Sequence, residues 1–322
     1  MTSRYDEKDE LCHEAPSPAD DPWWQESVVL TYWDEAAGLG GLFRLGHEVG
    51  QGTATAWVGV VTDAGERYRW YRGALPMSDA DRTSDGVGLA AAGVTSVLED
   101  GQLRWRADRP EFSCDLAVTD FYPMTNLWQL GDSSSLAREF APEHWEASGR
   151  VTGTVRLGDR SYAIDGLHHR DHSWGTRKWN TIRTHRWIAG TVGPDLSFMG
   201  LSWLVNDGTL VTEGYVNRSG ETLTASEIDI VAYVEVDGLS CRGGRVRMAL
   251  PDGTEVAFEA DRVDGLLTLH RDVACVDSIS RIRTADGRTG FCDFETTHNS
   301  RGGVEPVIVT VGAAMDDGLS RR

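Results

Sequence analysis

Turn-forming dipeptides recur along the whole chain and separate short runs that are rich in apolar residues. They are Ala64-Gly65, Asp100-Gly101, Asp207-Gly208, Ser219-Gly220, Asp237-Gly238, Asp252-Gly253, Asp264-Gly265 and Asp286-Gly287. Aspartate tolerates turn geometry and glycine readily adopts positive φ, so such pairs between alternating apolar runs are typical of β-hairpins. The pattern predicts an all-β chain of many short antiparallel strands with few short helices.

The number of predicted strands limits their arrangement, because a single sheet of this size would have to curl or split. The best helical segment is 133–140, where serines precede Leu136 and Phe140, one helical turn apart. It interrupts the strand pattern near the middle of the chain. We therefore expect two consecutive β-barrels or sandwiches, residues 22–138 and 139–322. Residues 1–21 are acidic and poor in apolar side chains, which predicts a disordered tail.

The charge of the chain excludes several classes of partner. Lys and Arg total 31 against 50 Asp and Glu, so the formal charge of −19 repels nucleic acids and anionic membrane surfaces. No apolar run approaches the length of a spanning helix, so we expect no membrane insertion. The five cysteines are scattered without a C-x-x-C pair, which argues against a disulfide framework or a zinc motif. This usage favours a reduced, cytoplasmic protein.

The segment 166–179 concentrates ionisable and aromatic side chains. It reads Gly-Leu-His-His-Arg-Asp-His-Ser-Trp-Gly-Thr-Arg-Lys-Trp. In an extended strand, successive side chains point to opposite faces. One face would carry His168, Arg170, His172 and Trp174, and the other His169, Asp171, Ser173 and Gly175. We expect the segment to lie at the junction of the two domains, with His172 and Trp174 facing a cavity and Arg177 tied to a carboxylate.

The same residues carry a resemblance to a known family. The run Arg170-Asp171-His172-Ser173-Trp174-Gly175, followed by Arg177 and Trp179 and preceded by His144-x-Glu146-x-x-Gly149, resembles the core motif of the hydroxyneurosporene synthase (carotenoid hydratase) and AttH-like group. Trp24-x-Glu26-Ser27 and the glycine-rich run at 38–46 are similar to the first barrel of that group. The resemblance covers nearly everything after the acidic tail.

The resemblance implies two consecutive lipocalin-like (calycin) antiparallel β-barrels and chemistry without a cofactor. Members of the group act on hydrophobic isoprenoid or polyketide-like compounds, by adding water across a double bond or by cyclisation. The histidine and tryptophan of the motif correspond to His172 and Trp174. Carotenoid hydratases carry a further Tyr and Asp about thirty residues on, and the segment 196–203 has neither, which argues against a carotenoid substrate.

Three residues of the motif are candidate catalytic groups, namely Asp171, His172 and Trp174. His172 is the natural proton carrier, because an imidazole titrates near neutrality. Trp174 could present its ring face to a developing cation. Asp171 would be an ionised base or orienting group if Arg170 and Arg177 pair with it, and an acid if it lies in an apolar pocket. We expect the base or orienting role.

The remaining site predictions concern binding and structure. The 12 tryptophans favour a cavity for a hydrophobic small molecule, although a Trp-rich core is the alternative. The predicted substrate-binding residues are Trp24, Glu26, His169, Trp179 and Trp187. Arg170 and Arg177 are predicted to form structural ion pairs that join the barrels. We expect no metal, because the histidines lack a helical H-x-x-x-H spacing, and no serine hydrolase, because no G-x-S-x-G motif occurs.

Together these features predict a cofactor-independent hydratase or lyase, or a related cyclase, that acts on a hydrophobic unsaturated natural product such as a terpenoid or polyketide. The reaction would protonate a double bond and capture the cation with water. The alternative is a non-catalytic tandem-lipocalin carrier in which the motif only joins the barrels. The sequence leaves the substrate, the direction of reaction and the oligomeric state open.

Overall fold

The computed structural model describes residues 10, 12–77, 88–127, 130, 142–270, 273–299 and 312–322. The elements within these ranges are strands and two 3₁₀ turns, Val49–Gln51 and Trp179–Thr181. The strands are β1 (Trp24–Asp34), β2 (Leu39–Glu48), β3 (Thr53–Thr62), β4 (Glu66–Pro76), β5 (Gly88–Ala91), β6 (Val94–Glu99), β7 (Gln102–Arg109), β8 (Phe112–Asp120), β9 (Thr125–Asn126), β10 (Glu143–Leu157), β11 (Arg160–Thr176), β12 (Ile182–Gly193), β13 (Leu196–Val205), β14 (Leu210–Arg218), β15 (Glu221–Thr224), β16 (Glu227–Val234), β17 (Cys241–Ala249), β18 (Glu255–His270), β19 (Val273–Thr284), β20 (Thr289–Asn299) and β21 (Gly318–Arg321).

The strands form two antiparallel sheets that curl into half-barrels. The first sheet has the order β21-β4-β3-β2-β1-β11-β10-β8-β7-β6-β5, with β9 beside β10. The second has the order β15-β14-β13-β12-β20-β19-β18-β17-β16. The predicted all-β fold of two lipocalin-like units is confirmed. Among the described residues, no helix is long and apolar enough to cross a membrane.

Seven of the eight predicted turn dipeptides lie between strands, but the prediction for Asp264-Gly265 is wrong, because this pair lies inside β18, where the pairing with β19 shifts register between Arg262 and Asp264. Between β6 and β7, Asp100 and Gly101 have φ values of 50° and 75°. Between β14 and β15, Ser219 and Gly220 have φ values of 51° and 97°. Positive φ at both central residues defines the type I′ hairpin, whose twist matches that of the flanking strands. These turns join strands that are neighbours in both the chain and the sheet.

The division between the sheets does not coincide with the predicted domain boundary. That boundary, between residues 138 and 139, and the predicted helix at 133–140 lie outside the described residues. The first sheet continues through β10 and β11, so the change of sheet falls between Thr176 and Ile182. The first sheet extends this far because β11, which carries the motif, pairs with β1 near the start of the chain. The C-terminal strand β21 also returns to the first sheet.

The predicted disordered tail needs a correction at its C-terminal end. Residues 1–9 and 11 lie outside the described part of the chain, but Cys12, His13 and Asp21 contact the first sheet. Cys12 donates its thiol to the carbonyl of Gly88, and the His13 ring stacks on Trp174. Glu10 lies buried beside Arg170, with Oε1 2.8 Å from Nη2. A buried charge partner and an aromatic stack offset the entropy cost that composition alone predicts to be too high.

The two faces of the first sheet have different roles. One face packs the main core of that sheet, which includes Leu30, Phe43 and Phe112. The opposite face packs on the second sheet, where Trp33 and Trp57 share a cluster with Ile279 and Phe291, among others. Strands in the middle of the first sheet are therefore buried on both sides. The candidate site lies on this second, inter-sheet face.

Candidate functional site

The motif strand β11 lies in the middle of the first sheet, paired with β1 on one side and β10 on the other. Residues 168–173 are all buried. Alternation divides their side chains, as the sequence predicts. The core face, towards the core of the first sheet, carries His168, Arg170, His172 and Trp174. The cavity face, towards the second sheet, carries His169, Asp171 and Ser173.

On the core face, two histidines hold the carboxylate of Glu26. His172 Nε2 donates to Oε1 at 2.8 Å, and His13 Nδ1 donates to the same oxygen at 2.7 Å. Burial alone would raise the pKa of Glu26, but the hydrogen bonds and charges of His13 and His172 lower it to about 2. Trp174 covers this group, with its ring 3.7 Å from that of His13 and nearly parallel to it. The arrangement is closed and fully paired.

The other charges of the core face are also paired. Arg170 donates to Asp120 from Nε at 3.1 Å and from Nη2 at 2.7 Å, and its Nη2 also contacts Glu10. Arg170 is therefore part of a buried ion-pair network. His168 lies next to it, and burial lowers the pKa of His168 to about 3, so this ring is neutral. The core face thus has the properties of a structural network.

A cavity of about 70 Å³ lies between the two sheets, on the cavity face of β11. The lining residues up to position 171 are Ser27, Val29, Leu42, Arg44, Trp57, Leu127, His144 and Asp171. The others are Arg177, Trp179, His185, Trp187, Met199, Leu201, Trp203, Cys275, Asp277 and Glu295. This volume holds several water molecules or one reacting end of a larger molecule. Aromatic walls with a few convergent polar groups are typical of small-molecule sites.

Asp171 is the motif residue whose carboxyl group faces this cavity. Its side chain is buried, and Oδ1 has no hydrogen-bond partner among the described residues. Burial raises the pKa of Asp171, and the nearby charge of Glu146 adds to the rise, although His144 and Arg177 oppose it. A carboxyl group with a raised pKa stays protonated over a wider range of pH than an ordinary carboxyl group. The expected role of Asp171 as an ionised base or orienting group stays a prediction; the charges of Arg177 and Arg44 favour the ionised form, whereas burial favours the protonated form.

Glu146 lies opposite Asp171 on β10 and has the contrary environment. Its carboxylate accepts hydrogen bonds from His144 Nε2 at 2.8 Å, Trp187 Nε1 at 3.2 Å and the Tyr215 hydroxyl at 3.1 Å. Burial alone would raise the pKa of Glu146, but its bonds with His144 and His169 lower it to about 2. The bond from His144 is also the cause that raises the pKa of that imidazole against its burial. Glu146 thus fixes His144, which lines the cavity.

The second sheet adds acidic groups to the opposite wall. Asp277 lies on β19 and Glu295 on β20, and both line the cavity. His185 donates a hydrogen bond to Glu295. Burial raises the pKa of Asp277 well above its usual value, and the neighbouring Asp293 and Glu295 raise it further. Asp277 is therefore protonated over a wider range of pH than an ordinary carboxyl group.

Arg44, on β2, brings a cation to the same cavity. Its guanidinium lies 4.7 Å from the centre of the Trp57 ring. The side chain is buried, yet Nη1 and Nη2 have no hydrogen-bond partner among the described residues. Arg177, in contrast, donates from Nη1 to Ser173 Oγ at 2.8 Å and lies over the Trp179 ring. The cavity therefore combines buried acids, indole rings and an arginine whose terminal nitrogens are unsatisfied.

The sequence matches the family described as "Domain of unknown function (DUF7064)" over residues 6–300. The chain belongs to this DUF7064 family. No curated protein matches it. The family description names no activity, so what the site of this DUF7064 member can do has to be argued from its geometry.

Solved structures share the fold. An AttH from Nitrosomonas europaea has a TM-score of 0.67 at 13% identity, covering 90% of this chain and 95% of that one. CghA, solved with Sch210972, has a TM-score of 0.61 at 11% identity, covering 86% and 89%. Kievitone hydratase from Nectria haematococca has a TM-score of 0.60 at 10% identity, covering 87% and 90%. The predicted resemblance to the AttH-like group is confirmed at the level of the fold.

The structure separates the predicted site residues of this DUF7064 chain. Asp171, Arg177, Trp179 and Trp187 line the cavity. The prediction that His172 and Trp174 face the cavity is corrected, because alternation along β11 places both on the core face. The same alternation along β1 places Trp24 and Glu26 on the core face, which points away from the cavity. His169 is on the cavity side but lies behind Trp187, with its Nδ1 2.9 Å from the Ser148 hydroxyl.

Several residues that line the cavity, and Glu146 behind His144, were absent from the predicted site. Glu146 and His144 stand two residues apart just before the motif, a spacing that places both on one strand face, and this signal was present in the sequence. Arg44 lies within the glycine-rich run that carries the family resemblance. Asp277 and Glu295 are acids inside largely buried strands, a pattern that indicates a special environment. No local pattern shows that these residues meet one another.

A metal site can be tested against the donor atoms of the described residues. Those of His13, Glu26 and His172 lie within 4.8 Å of one another, close enough to hold an ion. The same positions satisfy Glu26 through hydrogen bonds from both rings, so the geometry does not require an ion. The absence of a metal or other cofactor stays a prediction. Chelation followed by elemental analysis and a thermal melt tests it.

Proposed function

We propose that this protein is a cofactor-independent hydratase or lyase, or a related cyclase, that acts on a hydrophobic unsaturated natural product in the cavity between the sheets. Terpenoids and polyketides are the substrate classes that fit apolar, indole-lined walls. The shared fold with kievitone hydratase supports the general reaction type and leaves the substrate open. Asp171, and not His172, is the proposed proton donor.

One observation carries this proposal, namely the position and environment of the Asp171 carboxyl group. The carboxyl group lines an aromatic cavity, Oδ1 has no partner among the described residues, and burial raises its pKa. Fully paired carboxylates such as Glu26 and Glu146 are typical of structural networks. An acid whose pKa is raised and whose oxygen faces open space is suited to give its proton to a substrate.

The chemistry follows from two carboxyl groups with opposite environments. Asp171 transfers its proton to one carbon of the double bond, which leaves a cation on the other carbon. The indoles of Trp179 and Trp187 stabilise this cation through their ring faces. Water adds to the cation and returns its surplus proton to the Asp171 carboxylate, so the acid is regenerated. Capture of the cation by an internal double bond would give cyclisation by the same first step.

Glu146 has a positioning role in this scheme. It remains ionised, with a pKa of about 2, while the pKa of Asp171 is raised. When the pKa values of two facing carboxyl groups differ in this way, one group can act as the acid while the other stays charged. Through His144, Glu146 supplies an imidazole at the cavity wall that can orient the attacking water.

The first prediction is that Asp171→Asn abolishes turnover without unfolding the protein. The amide keeps the size of the side chain but cannot donate the proton. We would incubate the wild type with unsaturated terpenoid alcohols, terpenoid acids and linear polyketide acids in ¹⁸O-labelled water, and follow label uptake and cyclised products by mass spectrometry. The variant should lose about 100-fold or more in rate, the range for loss of a general acid.

Asp165→Asn is the matched control, because Asp165 lies on the same strand but is exposed and paired with exposed Arg150. It should keep full activity. Folding is checked by thermal melting. Because the pKa of Asp171 is raised in the folded state, this residue contributes to the free energy of unfolding at low pH, and the contribution is lost as pH rises through that pKa. We therefore expect that Asp171→Asn does not lower the melting temperature at neutral pH. Binding of a substrate without any turnover by the wild type would favour a carrier instead.

A further inference from the structure

Arg44 is a buried cation whose two terminal nitrogens lack hydrogen-bond partners among the described residues. The described ion pairs include no carboxylate within 4.0 Å of it. Burial is the largest influence and lowers the pKa of Arg44, yet a guanidinium remains protonated in proteins. Leaving such a group unpaired costs folding free energy. The cost indicates that Arg44 has a function.

The acids around Arg44 do not neutralise it by direct pairing. Glu48 accepts hydrogen bonds from the hydroxyls of Thr53 at 2.8 Å and Thr55 at 2.9 Å. Asp171 and Asp277 have raised pKa values and are neutral over a wider range of pH than ordinary carboxyl groups. The described carboxylates therefore leave the guanidinium without a direct ion pair at the cavity wall.

The fold makes room for the guanidinium at this place. Gly46 lies two residues further along β2, on the same face, and an added Cβ there would lie 2.8 Å from Arg44 Nη1 and 3.1 Å from Nη2. The Trp57 ring packs on the other side. An indole on one side and a bare glycine backbone on the other hold the planar group in a defined position, so its terminal nitrogens are preorganised for a ligand.

The register relates this cation to the proposed proton donor. Arg44 is opposite Val29 on β1, and Val29 is opposite Asp171 on β11. Both side chains face the cavity from the same sheet, two strand spacings apart, or roughly 10 Å at the backbone. A ligand held by Arg44 would therefore place a more distant part of the same molecule at Asp171.

We infer that Arg44 binds an anionic oxygen group of the substrate, a carboxylate or an ionised acidic enol, and that the substrate is therefore an unsaturated organic acid. The planar fork of a guanidinium matches the two oxygens of such a group. Ser27, whose hydroxyl lines the cavity between the Arg44 and Asp171 strands, is placed to add a hydrogen bond. The inference rests on the proposed function for the identity of the site, but its test measures binding alone.

The test uses a graded series of unsaturated fatty acids, from medium to long chain, each with its methyl ester. Binding is followed at neutral pH by quenching of tryptophan fluorescence, since Trp57 packs on Arg44. We expect at least one acid to bind the wild type about 10- to 100-fold more tightly than its ester, as charge-assisted hydrogen bonds provide. If no acid in the series exceeds its ester, the inference is wrong, and this result needs no variant.

Variants assign the preference to Arg44. Arg44→Met should bind acid and ester alike, whereas Arg106→Met, at an exposed position, should keep the preference. Arg44→Met should also leave the melting temperature of the ligand-free protein unchanged or raise it, because it removes an unpaired buried charge. A large drop in melting temperature, or loss of the preference in Arg177→Met but not in Arg44→Met, would contradict the inference. Asp171→Asn should keep the acid preference while losing turnover, which separates this inference from the proposed function.

Discussion

Asp171 and His172 are neighbours in the chain but lie in different environments. The His172 imidazole is fully buried on the core face and donates to Glu26, whereas the Asp171 carboxyl group faces the cavity. His172 matches the family motif, yet its contacts are those of a residue that stabilises the first sheet. Asp171 has the raised pKa and the open contact that a proton donor requires. At the residue scale, Asp171 is therefore the motif residue that we propose as the proton donor.

The pH dependence of the rate tests this assignment. Because Asp171 must be protonated to act, kcat should be highest at low pH and should fall as pH rises through the raised pKa of this group. The measurement is kcat of the wild type with any substrate found, in steps between about pH 5 and 9. A rate that increases with pH over this range would show that the essential group is a base, and would reject Asp171 as the acid.

At the scale of elements, the segment 12–21 and strand β1 build the environment of the motif. His13 closes the core face by bonding Glu26 with both its ring and its backbone N–H, the latter at 3.0 Å from Oε2. Its ring covers Trp174. A segment whose composition predicts disorder is held by one charged group of the folded sheet. The tail is therefore part of the structure around β11 from residue 12 onwards.

We expect His13→Ala to lower the free energy of unfolding by about 1–3 kcal/mol, the cost of losing a hydrogen bond to a buried charged group. The loss should be larger at neutral pH than at acid pH. Glu26 has a folded pKa of about 2, so its contribution is present above the usual carboxyl pKa and disappears as pH falls towards 2. Urea denaturation of this variant and of Glu14→Ala, an exposed neighbour, measures it. Equal and negligible effects of both would mean that the segment does not contribute to stability.

At the scale of the whole molecule, the two sheets share a core and a buried ion pair. Arg67 on β4 donates from Nε to Asp264 on β18 at 2.7 Å, and the Asp264 carboxylate is fully buried. The cluster around Trp57 and Phe291 draws on both sheets. The cavity therefore lies in a continuous interface, and its shape depends on both sheets being folded. We expect the protein to unfold as one unit.

Arg67→Met should cost about 3–5 kcal/mol, because it leaves Asp264 buried without its cation. Unfolding should remain a single transition by both tryptophan fluorescence and circular dichroism. Arg150→Met is the control, since the Arg150–Asp165 pair is exposed and its loss should leave the stability nearly unchanged. Two separate transitions in the wild type would show that the sheets fold independently and that the interface is weak.

The sequence by itself determined the fold class and the faces of the motif strand. Hairpin turns depend on local backbone preferences, and alternation has a period of two residues, so Asp100-Gly101 and the opposition of Asp171 to His172 can be predicted from neighbouring residues alone. Only the tertiary structure decided which face of β11 meets the second sheet. That choice depends on contacts such as the cluster of Trp33 with Phe291, which are distant in the chain. The same holds for the meeting of Arg44, Asp171 and Asp277 around one cavity, because long-range packing sets their burial, and burial sets their charge.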